Sequence, residues 1–229
     1  MDGFFRNFSD IGDSLNQIIM RIIPALICIT FHELAHGFTA YKLGDRTAKD
    51  MGRLTLNPIK HIDPLGLLMM LVMRFGWAKP VPVDMRNFKH PKWYMAITAL
   101  AGPVSNILLA IVFMMIFGLV FMSLTTVTAG TQLIEILYNT IYISIALAVF
   151  NMLPLPPLDG SKVLFSLLPE KTYYKLMHYE RFGMIVLIVI VGLQMFLGIN
   201  IFGLIIGYPA EVIFNSLGVF FDFTLNLVN

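Results

Sequence analysis

Residues 31–37 read Phe-His-Glu-Leu-Ala-His-Gly, and His32 with His36 is the strongest chemical signal in the chain. On a helix, side chains four positions apart share a face about one turn apart, so both imidazoles can grip one metal ion. Glu33 projects beside this clamp, where it could take a proton from a metal-activated water and return it to a leaving amine. Hydrolytic zinc sites usually combine three protein ligands with one open position. His61, His90 and His178 lie in polar connectors and read as solvated surface histidines. Asp159 differs, because it follows the run Asn151-Met-Leu-Pro-Leu-Pro-Pro-Leu. A carboxylate beside so apolar a turn is costly without a compensating cation. Asp before Gly also suits a helix N-cap, but the histidine pair on the same membrane face favours ligation.

The elements that must position these groups are membrane helices. Of the 229 residues 57% are apolar and only 13% charged, and the mean hydropathy is +0.77. Soluble domains carry about 25% charge, so a water-soluble enzyme is excluded. A net charge of +2 without a basic-aromatic stripe excludes nucleic acid as a partner. Apolar stretches at about 15–43, 93–124, 132–153, 182–199 and 201–228 read as spans. The last is expected to break at Gly207 and Pro209. The shorter run 64–73 reads as re-entrant, and the proline-punctuated stretch 77–83 as a short extended hairpin. The expected fold is an all-α polytopic membrane protein with about five to six transmembrane or re-entrant helices and a small membrane-associated β-hairpin. It forms one domain over 1–229, with a catalytic core at about 15–168 and C-terminal helices at about 180–229.

Fourteen of the sixteen Lys and Arg residues fall in 42–61, 74–92 and 162–181. The positive-inside rule makes those connectors cytoplasmic. The carboxyl ends of the 15–43 and 132–153 helices and the amino end of the 93–124 helix then meet on that side. His32 lies roughly 15 Å inside the end of its helix. Ionisable groups at that depth are expensive and by default functional.

FHELAHG and NMLPLPPLDG, in this order with a membrane helix between them, resemble the site-2 protease family of intramembrane zinc metalloproteases. Ala101-Gly-Pro-Val-Ser-Asn106 and GWAKPVPVD at 76–84 extend the similarity over nearly residues 20–168. The resemblance implies one zinc per chain, held by His32, His36 and Asp159, with Glu33 as the catalytic glutamate and Asn106 facing the active site. It also suggests that Asn151 helps hold substrate backbone. The compact size resembles members without a PDZ domain; where many relatives have a full span before the metal helix, none is expected here.

Taken bottom-up, several residues keep two readings. Asn106 could stabilise the oxyanion of a tetrahedral intermediate or act as interhelical packing glue. Asn151 could equally be a simple helix C-cap. Pro80, Val81 and Pro82 form an edge that could accept an extended substrate by strand addition, or only a tight surface hairpin. Cys28 is a small buried residue or, by its spacing from His32, a regulatory ligand, and Gly203-Leu-Ile-Ile-Gly207 has a helix-contact spacing. The expected activity is hydrolysis of peptide bonds within or near transmembrane segments. The expected substrate is a single-span membrane protein or signal-peptide remnant, cut near the cytoplasmic face of the cell membrane. The rivals are a metal-ion transporter and a catalytically silent membrane scaffold; oligomeric state is left open.

Overall fold

A computed structural model describes residues 15–73, 76–125, 130–197 and 200–228, and these are mostly helical. The first apolar run forms α1 (Leu15–Lys42), with Pro24 buried inside it. A short α2 (Thr47–Asp50) and a 3-10 turn at Pro58–His61 lead to α3 (Pro64–Met73). At 1.5 Å per residue α3 is about 15 Å long, half the thickness of a bilayer core, as a partly inserted segment would be. The two long apolar runs become α4 (Pro91–Thr125), which carries Pro103 without ending, and α5 (Gly130–Asn151). Beyond the proline cluster come α6 (Asp159–Ser166), α7 (Glu170–Tyr179), α8 (Gly183–Leu197) and α9 (Tyr208–Val228).

Among the described residues, Ile22–Lys42, Pro91–Ser123, Gly130–Asn151 and Gly203–Leu227 are long and apolar enough to cross a membrane. The chain is therefore a multi-pass membrane protein. The break expected at Gly207 and Pro209 does not occur. Gly203–Gly207 forms one π turn that runs directly into α9, and this wider turn accommodates the proline's missing N–H.

α4 is the central element, packing against α1, α5, α6 and α9. Ala110 and Met114 of α4, Ile141 and Ile145 of α5 and Ala210 of α9 form a buried cluster. Small residues at two of these five positions let the helices approach closely, as membrane helix contacts require. On the outside of α4, Val104, Leu108, Val112, Ile116 and Leu119 stay exposed, as do Ile185, Ile188, Val189 and Leu193 on α8. Such apolar stripes suit lipid tails, not water.

The β-hairpin is not formed among the described residues. The stretch 78–84 is an extended strap whose only β pairing there is an isolated antiparallel bridge, Ile62 to Ala78. Pro80 and Pro82 have no N–H to give a ladder. Lys79 N donates instead to His61 O at 2.9 Å, and Arg53 Nη2 donates to Lys79 O at 2.8 Å.

The far end of the strap is clasped by Asp45, fully buried just beyond α1. Its Oδ2 accepts Asp84 N at 2.7 Å, while Oδ1 accepts Thr47 N at 3.0 Å and Asn87 Nδ2 at 2.7 Å. Burial pushes the Asp45 pKa up, but these donors, led by the Thr47 hydroxyl, outweigh it and hold the carboxyl below its ordinary value. A depressed folded pKa stabilises fully above the unfolded value of about 3.9 and loses that contribution as pH falls through the folded one. Asp45→Asn should loosen the strap at a cost of about 1–3 kcal/mol. The check is lower amide-exchange protection over 78–88 with α4 and α5 unchanged, and protection factors for the wild type that do not differ between pH 7 and pH 5 once the intrinsic pH dependence of exchange is removed.

Candidate metal centre

His32 and His36 project from α1 toward α4 and α6, and both are at least nine-tenths buried. Asp159 opens α6 and is 7% exposed. Its side chain does not cap that helix, because Leu158 holds the N-cap position. It turns instead to the imidazoles. His32 Nε2 and His36 Nε2 are 3.0 Å apart, and each lies 3.2 Å and 3.1 Å, respectively, from Asp159 Oδ2. The three residues form the one His/Cys/Asp/Glu cluster among the described residues able to hold a metal ion.

The donor set fits zinc. Bonds of 2.0–2.1 Å to a tetrahedral ion place ligand atoms about 3.3 Å apart, close to the observed spacing. His36 Nδ1 lies 2.7 Å from Thr98 O, and a carbonyl only accepts. The proton of a neutral His36 is therefore on Nδ1, and Nε2 presents its lone pair to the centre. Asp159 Oδ2, buried among these atoms, finds no hydrogen-bond donor. A carboxylate oxygen facing two imidazole nitrogens without a shared proton is what a cation between them would satisfy. Asp159 Oδ1 faces Lys162 Nζ at 3.8 Å, and Lys162 reaches Glu180 Oε1 at 3.4 Å.

Two close approaches make the cluster possible. On α4, a Cβ at Gly102 would stand 2.5 Å from His32 Cε1 and His36 Cε1, so only glycine lets that backbone pass the imidazoles. On α1, a Cβ at Gly37 would meet Leu54 Cδ2 at 2.7 Å and Val81 Cγ1 at 2.9 Å. The strap therefore lies directly on the helix that carries the histidines. Its Val81 N donates to Glu33 Oε2 at 2.7 Å. With prolines on either side, this amide is the one donor of the 80–82 tripeptide, and it holds one carboxylate oxygen of the half-buried Glu33.

Asn106, fully buried on α4, has its Nδ2 3.3 Å from His32 Nδ1. Asn151 is the last residue of α5, and its Nδ2 donates to Leu147 O at 3.0 Å on its own helix. Cys28 is buried, with Sγ 3.4 Å from Thr140 O on α5, and is not part of the cluster. His90 and His178 are exposed as expected, but His61 is 1% exposed. It is covered because the strap pairs with its backbone, and its Nε2 bonds Thr55 O at 2.9 Å. Thr98, Lys162 and the Val81 amide escaped the sequence reading. Thr98 and Val81 act through backbone atoms, which no residue type announces; Gly102, opposite the histidines in a membrane helix, did carry a signal.

The family model for Peptidase family M50 matches residues 118–197, which include the Asn151–Gly160 motif. YwhC of Bacillus subtilis (strain 168), a protein assigned as a zinc metalloprotease, is 42% identical over 171 residues, 74% of this chain and 78% of its own. Rip2 of Mycolicibacterium smegmatis, assigned likewise, is 28% identical over 180 residues, 75% of this chain and 66% of its own. MJ0611 of Methanocaldococcus jannaschii, also so assigned, is 34% identical over 154 residues, 65% of this chain and 73% of its own. No solved structure matches.

Gly102→Ala should raise intrinsic helix propensity by about 1 kcal/mol yet displace the imidazoles. Zinc binding should fall at least tenfold while helicity by circular dichroism stays unchanged, which equilibrium dialysis of the detergent-purified variant checks.

Proposed function

The chain belongs to peptidase family M50, the site-2 proteases, and is an intramembrane zinc metalloprotease; on that premise we propose that His32, His36 and Asp159 hold the zinc and Glu33 is the general base. The observation that supports this most is the meeting of two imidazole nitrogens and one carboxylate oxygen within 3.2 Å, from helices far apart in sequence. Zinc, when bound, supplies a Lewis acid that lowers the pKa of a water and polarises the scissile carbonyl.

The chain's own residues do the rest. Val81 N–H holds Glu33 Oε2, which leaves Oε1 to accept the proton of the attacking water and pass it to the departing amine. Asn106 is the amide beside the histidines and is assigned to steady the developing oxyanion. A peptide bond within a membrane helix is shielded by its own hydrogen bonds, so the substrate must unwind locally. The strap edge at exposed Pro80 and half-buried Pro82, and Asn151 Oδ1 at the end of α5, are the groups we assign to hold the extended chain. The substrate is a single-span membrane protein or a signal-peptide remnant. We assign the cut to the cytoplasmic side, a reading that the cationic connectors support through the positive-inside rule.

Reconstituted with a single-span substrate, the wild type should cleave it in a chelator-sensitive way. Glu33→Gln should keep its zinc and lose about 10²–10⁴-fold in rate, and Asp159→Ala should lose the zinc itself. Cleavage by Glu33→Gln at the wild-type rate, or full zinc content in Asp159→Ala, would overturn the assignment.

A further inference from the structure

Asn106 is placed with unusual care for a packing residue. It is fully buried on α4, one turn beyond Gly102, and its own carbonyl accepts Ser144 Oγ from α5 at 2.8 Å. That bond ties its backbone to the neighbouring helix and fixes where its side chain stands. The carboxamide meets the imidazole of His32 with Nδ2 3.3 Å from Nδ1. Its oxygen, Oδ1, is buried and without a hydrogen-bond partner.

This orientation is at odds with metal binding. If Nδ2 donates to Nδ1, then Nδ1 carries the lone pair and a neutral ring must hold its proton on Nε2. Nε2 is the atom that faces His36 Nε2 and Asp159 Oδ2, and a protonated Nε2 cannot ligate an ion. Turning the carboxamide half a turn about its Cβ–Cγ bond exchanges two nearly isosteric atoms and costs no space. Oδ1 then accepts Nδ1–H of His32, the buried oxygen gains its partner, and Nε2 bears the lone pair. His36 shows the same arrangement already, with the Thr98 carbonyl as acceptor.

We propose that Asn106 is a positioning residue whose Oδ1 fixes His32 in its metal-binding tautomer, as the Thr98 carbonyl does for His36. The two histidines are thus matched from α4, one by a side chain and one by the backbone. The turned amide also withdraws Nδ2 from the imidazole, so its N–H groups remain for the substrate. Acceptor for the ligand and donor for the oxyanion are two ends of one group. This inference rests on the zinc site assigned above and adds an outer partner of the kind that tunes metal affinity.

The two ends can be separated. Asn106→Asp keeps an acceptor for His32 Nδ1–H and removes the donor, whereas Asn106→Leu keeps the branched shape in a bulkier side chain and removes both. In chelator-competition titrations of the full chain in detergent, Asn106→Leu should bind zinc about 10–100-fold more weakly than wild type. Asn106→Asp should bind at least as tightly as wild type while cleaving substrate more slowly. Equal zinc affinity in wild type and Asn106→Leu, or an Asn106→Asp as weak as Asn106→Leu, overturns the proposal. If instead His32→Ala binds zinc as tightly as wild type, the zinc site itself is wrong. That result is distinct from failure at Asn106, where His32→Ala loses the metal and Asn106→Leu does not.

Discussion

Two imidazole nitrogens and one carboxylate oxygen crowd within 3.2 Å of one another among the helices, and the rest of the structure is arranged around the charge they require. In water such donors would be hydrated separately. In a low-dielectric interior they repel one another and remain unsatisfied unless a cation joins them. The convergence therefore fits a bound metal ion. Helix α1 contributes two of the atoms at no extra topological cost, because a four-residue interval already aligns them. The third must come from elsewhere, and the proline turn after α5 brings Asp159 back to the same depth.

α4 allows this meeting by what it omits and what it offers. It omits a side chain at Gly102, so its backbone passes close to both imidazoles. It offers the Thr98 carbonyl and the Asn106 amide within a little over two turns, one to each ring. The strap completes the enclosure from the side of the connectors, pinned at one end by His61 and Arg53 and at the other by Asp45. Its prolines withdraw every N–H of the 80–82 tripeptide except that of Val81, and that one is bound to Glu33. Glu33, the general base we propose, and the covering segment are thus one hydrogen-bonded unit.

Much of this was legible in the residues. Continuous apolar runs gave α1, α4 and α5 nearly to their ends, because a bilayer demands about 20 apolar residues whatever the tertiary contacts. His32, Glu33 and His36 announced themselves by an interval that only a helix makes useful. Asp159, beside three prolines, could be a plain helix N-cap, and it was legible as a ligand only together with the histidine pair. Other features left less trace. The docking of the strap depends on Asp45 meeting Asp84 and Asn87 some forty positions away, and no periodicity encodes such a pairing. His61 looked like a surface residue because its neighbours are polar, yet the strap covers it. Gly207 and Pro209 looked like a break, since local propensity cannot register the π turn that carries the helix through them.

X-ray absorption at the zinc edge of the purified full chain bears most directly on whether two imidazoles and a carboxylate share one ion. Zinc held by these three residues gives a shell of nitrogen and oxygen alone at about 2.0–2.1 Å, with the outer scattering of two imidazoles, one of them lost in His36→Ala. A sulfur shell near 2.3 Å, which would bring Cys28 into the coordination, or a spectrum with fewer than two imidazoles in the wild type, would contradict it.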